Sequence, residues 1–276
     1  MKTALLQLSG GDDPVANLAA TSELVAQAAG QGAGFILTPE VTNCVSQDRP
    51  HQMRVLQHQT DDITLAGLRE AAVRHGVWLS IGSLALKTSD PDGRFANRSF
   101  LIDPAGRIVG QYDKIHMFDV TVSPSETYRE SAGYRPGGQA VVADTPFAKI
   151  GMSICYDVRF AYLYRALAQA GAQVLLVPSA FSPVTGAAHW ETLLRARAIE
   201  TGSYVLAAAQ TGTHSVQSGR SRQTFGHSLA ISPWGEDLVD MGVAPGIAML
   251  DLDLAEVAQS RKRIAALSHD RPFEGP

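Results

Sequence analysis

Apolar positions along the chain switch between short continuous runs and a spacing of three or four, and the switches mark alternating strands and helices. Thr3 to Leu8 reads as an opening strand. Asp13 then caps a helix whose first residue is Pro14, with Val15, Leu18, Ala19, Leu24, Val25 and Ala28 at helical spacing. Gly32 to Gly34 ends it and feeds the apolar strand Phe35-Ile36-Leu37, which Pro39 stops, so Glu40 falls at that strand's carboxyl end. The pattern recurs with a helix from about Asp62 to His75, Gly76 behind it, and then Val77 to Leu86, apolar throughout as in a strand buried on both faces. Ser89-Asp90-Pro91-Asp92-Gly93 and Asp103-Pro104-Ala105-Gly106 are turn sequences that divide the following stretch into three consecutive strands.

Ile115 to Gly138 has no clear period and reads as a long loop, a kind of segment that is usually functional or disordered. After it come a strand ending in Ile150 to Ile154, then Cys155, a helix from about Arg159 to Ala170, and the strand Val174 to Val177. A second helix, about Ala187 to Thr201, leads to Tyr204 to Ala209, and Gly226 to Ser232 and Ile247 to Asp253 are further strands. Strand-helix alternation in both halves, with hairpins between and after, predicts an α/β fold of two mixed sheets with helices on their outer faces, a four-layer α-β-β-α sandwich. No flexible linker separates two cores, so residues 1–276 read as a single domain with a C-terminal tail from about 254.

Composition narrows the function. With 276 residues, 45% of them hydrophobic and only 18% charged, the chain is globular, and no segment is repetitive or of low complexity. Its 23 basic and 27 acidic side chains are dispersed, which excludes a phosphate-binding stripe and with it nucleic acid as a partner. No run approaches the roughly 20 apolar residues of a membrane span, and the first apolar run, ending by Gly10, is too short for a signal peptide. Two cysteines make no disulfide framework, and a reducing, cytoplasmic setting is expected.

Three residues could carry chemistry. Cys155 sits between a buried strand and a helix, a placement that exposes a nucleophile and in which the helix amino terminus is expected to lower the thiol pKa. Lys114, in Tyr112-Asp113-Lys114-Ile115-His116, and Glu40, in Thr38-Pro39-Glu40, also end predicted strands, the sheet edge where sites are assembled. By spacing alone each has an ordinary reading: a small buried hydrophobe for the cysteine, solvated charges for the other two. There is no His-Glu-x-x-His, no paired cysteines beside His189-Trp190-Glu191 and no phosphate-cradling glycine loop, so neither a metal nor another cofactor is expected. Cys44 reads as core or pocket wall. A cysteine-histidine peptidase or acyltransferase using His116 or His227 as base, and a catalytically silent dimeric scaffold, are the competing readings.

On these segments the chain resembles the nitrilase superfamily of carbon-nitrogen hydrolases, from Thr3 to about Pro272. Its glutamate, lysine and cysteine motifs match Thr38-Pro39-Glu40, Tyr112-Asp113-Lys114-Ile115-His116 and Cys155-Tyr156-Asp157-Val158-Arg159-Phe160, and a fourth carboxylate matches Glu130 in Tyr128-Arg129-Glu130-Ser131. True nitrilases place Trp-Glu after the cysteine, whereas Tyr156-Asp157 stands here, so the resemblance implies amides rather than nitriles. Pro178-Ser179-Ala180-Phe181, His189-Trp190-Glu191, Ala207-Ala208-Ala209-Gln210, Phe225-Gly226-His227-Ser228 and Pro233-Trp234-Gly235 look most like the deaminated glutathione amidases, with omega-amidases next.

The resemblance implies Glu40 as general base, Cys155 as covalent nucleophile, Lys114 with the backbone N–H of Tyr156 as oxyanion donors, and Glu130 as the group that orients Lys114. It also implies Arg159 as the clamp on a substrate carboxylate, Phe181 and Thr185 as pocket residues, and a homodimer. Two departures are visible: Ala161-Tyr162 replaces the usual Pro-Glu after Arg-Phe, which puts that helix start in question, and His269-Asp270-Arg271-Pro272-Phe273 matches the family's ending only loosely.

Overall fold

The computed structural model describes residues 1–123, 126–217 and 219–275. The first half runs β1 (Lys2–Gln7), α1 (Pro14–Gly30), β2 (Phe35–Leu37), α2 (Arg49–Val55), α3 (Ile63–His75), β3 (Trp78–Leu86), β4 (Ala96–Ile102) and β5 (Ile108–Asp113). A hairpin, β6 (Asp119–Ser123) and β7 (Glu126–Arg129), leads through a 3-10 turn at Glu130–Ala132 to β8 (Val141–Asp144) and β9 (Lys149–Met152). The second half continues with α4 (Ala161–Gln169), β10 (Val174–Leu176), α5 (Pro183–Thr201), β11 (Tyr204–Ala207), β12 (Thr211–Thr213) and β13 (Gln223–Phe225). It closes with β14 (Leu229–Ile231), β15 (Asp237–Asp240), β16 (Gly246–Asp251) and α6 (Ala255–Arg263).

Two six-stranded sheets result, in the orders β16-β1-β2-β3-β4-β5 and β15-β14-β11-β10-β9-β8. Each has parallel strands at its centre and antiparallel strands outside them: β1, β2 and β3 run parallel in one, β9, β10 and β11 in the other. Side chains alternate along β1 as the strand period requires. Ala4 and Leu6 pack with Val25, Leu65 and Leu68 from α1 and α3, while Leu5 joins Ile150, Met152 and Val174 of the facing sheet. On the far side, Leu163 and Leu167 of α4 and Trp190, Leu194 and Ala198 of α5 cover the second sheet. The four layers are therefore helix, sheet, sheet, helix, as expected.

Local signals were reliable where side chains cap the helices. Asp13 Oδ1 accepts the Val15 N–H at 2.9 Å, Asp62 Oδ1 accepts that of Leu65 at 2.8 Å, and Gly76 closes α3 at φ 64°. Two expectations need correction, and the tail gains an element. The stretch from Ile115 to Gly138 is not one loop, because β6 and β7 pair within it; their connecting residues, Pro124 and Ser125, lie outside the described residues. Its strands expose every second side chain and gave no apolar run to read. Helix α5 starts at Pro183, four residues before the expected Ala187, since Pro183 suits a first helical turn. The tail from 254 carries α6, which buries Val257 and donates from Arg261 Nε to the Thr201 carbonyl (3.1 Å). Among the described residues no helix is long and apolar enough to cross a membrane.

Candidate active site

The carboxyl ends of β2, β5 and β9 open on one cavity of about 440 Å³. Glu40, Lys114, Glu130, Cys155, Tyr156, Phe181 and Thr185 all line it, so residues from five separate stretches of sequence meet there. Lys114 is almost fully buried, and its ammonium lies 2.9 Å from Glu40 Oε1 and 2.9 Å from each Glu130 oxygen. All three ammonium N–H groups thus have an acceptor. Glu130, placed by the 3-10 turn after β7, also accepts the Phe118 N–H at 2.6 Å. Glu130 is not a surface carboxylate, since its side chain is only 14% exposed.

Glu40 is held on both oxygens. Oε1 accepts from Lys114 and from Asn97 Nδ2 (2.9 Å), and Oε2 accepts the Ala180 N–H (2.8 Å). The Gln210 side chain secures the Glu40 carbonyl (3.1 Å). Close packing brings this segment to Cys155: a Cβ on Gly82 of β3 would sit 2.1 Å from the Thr38 carbonyl oxygen and 2.5 Å from both the Pro39 carbonyl and the Pro178 side chain. Only glycine permits that approach, and the Pro178 carbonyl in turn accepts the Cys155 N–H at 2.9 Å.

Cys155 opens a 3-10 turn, Cys155–Arg159, with φ of 50°, a left-handed backbone that non-glycine residues adopt at a cost of roughly 1–2 kcal/mol. Asp157 fixes the turn. Fully buried, it accepts the Ile154 N–H (2.9 Å) and the Tyr112 hydroxyl (2.7 Å) on one oxygen, and the His116 N–H (3.0 Å) and ring Nδ1 (2.7 Å) on the other. The strand end that bears Lys114 is thereby tied to the turn that bears the thiol. Helix α4 does start after Arg-Phe despite Ala161-Tyr162, and the Tyr162 hydroxyl meets His116 Nε2 at 2.5 Å.

The electrostatics correct one expectation. Burial, reinforced by the Glu40 carboxylate, pushes the Cys155 thiol well above its ordinary pKa, and α4 begins six residues too late to reverse this. Burial also works against the Glu40 carboxylate, but the charges of Lys114 and Arg222 and hydrogen bonds from Lys114 and the thiol outweigh it and hold that group below its usual range. Lys114 loses to burial and gains more from Glu130 and Glu40, so its pKa is raised well above the ordinary value. The resting site is a thiol, a carboxylate and an ammonium. An attack by this sulfur would require its proton to pass to a base, and the Glu40 carboxylate is in hydrogen-bond contact with it.

Arg159 is the expected residue that the fold does not bring to the cavity wall. Its guanidinium lies over the Tyr156 and Phe181 rings, 5.8 and 5.7 Å from their centroids, and donates to His189 Nδ1 (3.3 Å). Cys44 is a cavity-wall residue, with a pKa pushed up to about 12 by burial. No histidine lines the cavity among the described residues: His116 is engaged by Asp157 and Tyr162, and His227 by Asp240, which removes the cysteine-histidine reading. Sequence reasoning missed Asn97, Arg222 and the Ala180 N–H. Asn97 had a signal, an amide near the start of a strand, an element in which asparagine is rare; the other two had none.

A buried acid, ammonium and thiol at the open edge of an α-β-β-α sandwich define a hydrolase that works through a cysteine, on the nitrilase fold. The structure of the C. elegans NitFhit protein superposes with a TM-score of 0.88 at 34% identity, over 98% of this chain and 65% of that chain. That of Saccharomyces cerevisiae Nit3, a member of the nitrilase superfamily, gives 0.84 at 27% identity over 99% and 97%. The carbon-nitrogen hydrolase family pattern matches residues 2–262, and the chain belongs to that family. It is a hydrolase of carbon-nitrogen bonds other than peptide bonds. The deaminated glutathione amidase of Yersinia enterocolitica is 38% identical, over 97% of this chain and 92% of its own length. That of Homo sapiens is 36% identical over 98% and 82%.

Proposed function

We propose that the chain is an amidase whose substrate is deaminated glutathione, cleaved to 2-oxoglutarate and cysteinylglycine through a thioester on Cys155. What carries the reading is the convergence of Glu40, Lys114, Glu130 and Cys155 on one cavity, in a chain similar to enzymes of that name over nearly its whole length. In the first half-reaction Glu40 takes the thiol proton while the sulfur attacks the amide carbon. The oxygen that gains the electron pair is met by Lys114, which gives up one of its two bonds to Glu130, and by the Tyr156 N–H. That N–H lies between two others already fixed, Cys155 on Pro178 and Asp157 on Ile154. Collapse breaks the C–N bond, and the amine leaves with the proton from Glu40. Water then gives a proton to Glu40 and its oxygen attacks the thioester, releasing the acid and restoring the thiol. Arg159 lies over the Tyr156 and Phe181 rings, and Thr185 borders the cavity beside them.

The same proposal takes residues 1–276 as one catalytic unit, working in a reducing cytoplasm that keeps both cysteines as free thiols. It also pairs two copies. Support comes from Ile199, Trp234 and Ile264, which are 52, 41 and 59% exposed and border one shallow cavity beside α5 and α6. Light scattering on the purified protein should give twice the 29.4 kDa of one chain.

Assay of the products decides the substrate. Deaminated glutathione should yield 2-oxoglutarate and cysteinylglycine, and Cys155→Ala should abolish both. Turnover of 2-oxoglutaramate alone, with ammonia as product, would replace this reading with an omega-amidase; equal rates for wild type and Cys155→Ala on every amide would leave a scaffold.

A further inference from the structure

Four cationic side chains line the cavity, Lys114, Arg49, Arg129 and Arg222, against two carboxylates, Glu40 and Glu130. Three of the four are committed within the protein. Lys114 is spent on the two carboxylates. Arg49 donates to the Gly133 and Gly93 carbonyls and lies 3.8 Å over the Phe95 ring, and Arg129 donates to the carbonyls of its own hairpin, Val120 and Tyr128.

Arg222 differs. It lies just before β13, and its guanidinium donates to the Ala180 carbonyl, whose residue presents its N–H to Glu40 Oε2. The Arg222 Nε–H is buried without a partner, and among the described residues no carboxylate stands within ion-pair distance of the guanidinium. A buried donor on a permanent cation is costly to leave unmet, and Nε with the adjoining N–H forms the edge of the guanidinium that matches the two oxygens of a carboxylate. The charge surplus of the cavity and the unmet donor therefore have the same remedy, an anionic group on the ligand.

We infer that Arg222, through the unmet Nε–H of its guanidinium, is the residue that grips a carboxylate of the substrate. The inference rests on the amidase reading and gives its site a specificity determinant. It adds a second cation beside the one that the motif suggested, Arg159, whose guanidinium lies over the Tyr156 and Phe181 rings and meets His189.

The test compares wild type, Arg222→Gln and Arg222→Lys on deaminated glutathione, on 2-oxoglutaramate, and on an amide of the same acyl length whose carboxylate is a methyl ester. For Arg222→Gln, kcat/KM on the gripped substrate should fall on the order of 100-fold, mostly in KM, because one partner of a desolvated charge pair is lost. The ester should lose at least about ten-fold less, and Arg222→Lys should recover part of the deficit through its charge. A loss on both acids places the contact on the acyl half, and a loss on deaminated glutathione alone places it on the carboxylate of the leaving half. Equal losses on acid and ester, or none, would overturn the inference.

A second measurement does not need the substrate to be right. Alkylation of Cys155 by iodoacetate, relative to iodoacetamide, should drop about five-fold or more in Arg222→Gln, as a nearby cation no longer draws in the anionic reagent. If wild type cleaved none of the amides while that ratio still depended on Arg222, the substrate reading would fall and the anion grip would stand. A ratio unchanged by the substitution would remove the grip itself.

Discussion

Replacing Lys114 by methionine keeps the length of the side chain and removes its charge, which exposes how the three ionisable groups depend on one another. Each contact to a carboxylate is 2.9 Å long. At an effective dielectric near 20, one such pair attracts by roughly 6 kcal/mol before the cost of stripping water from both ions. What experiments recover on breaking a buried pair is about 3–5 kcal/mol, and Lys114→Met should lose that much stability near neutral pH.

The deficit should depend on pH in a defined direction. The Glu40 pKa is depressed below its ordinary 4.5, so its contribution in the wild type is present above that value and fades as pH falls through the lower folded value. The Lys114 pKa is raised above 10.5, so its contribution is complete below 10.5 and fades only as pH rises through the higher folded value. In Lys114→Met, burial acts on Glu40 opposed only by the Arg222 charge and the remaining hydrogen bonds, and the carboxyl pKa moves up. The gap between the two proteins should therefore narrow toward acid. Activity should drop about 100- to 1000-fold with the loss of an oxyanion donor. The acid limb of kcat/KM should move to higher pH, since Glu40 must be ionised to take the thiol proton. Urea unfolding across the pH range and initial rates on one amide measure both. Turnover within ten-fold of wild type, with the acid limb where it was, would refute the coupling.

Two further outcomes follow from the packing around the site. In Gly82→Ala the new methyl group would meet backbone at 2.1 and 2.5 Å, so the segment bearing Glu40 has to move by about an ångström, and kcat/KM should fall about 100-fold with the circular dichroism spectrum intact; wild-type rates would show that Glu40 tolerates the shift. Asp157→Asn turns an acceptor of four hydrogen bonds into a group that offers a donor to two of its partners. We expect about 2–4 kcal/mol less stability in urea and slower acylation, and a loss under 0.5 kcal/mol would contradict the role assigned to that carboxylate.

Much of this architecture was written locally. Asp13, Asp62 and Gly76 cap helices through atoms a few residues away, so their meaning survives without tertiary context. The strand-helix alternation that spells out two mixed sheets is equally local, because the period of burial is a property of each element. Glu40, Lys114 and Cys155 were identifiable through the motifs that resemble those of the nitrilase superfamily, because their placement at strand ends left each an ordinary reading as well.

Distance was not written there. That Lys114 reaches both Glu40 and Glu130, that the thiol is buried deeply enough to raise its pKa instead of lowering it, and that Arg222 reaches the cavity are all results of packing between segments far apart in sequence. The amino-acid order set which groups could react; only the folded chain set which of them lost their water, and desolvation together with separation decides the charge state and strength of every contact in the site.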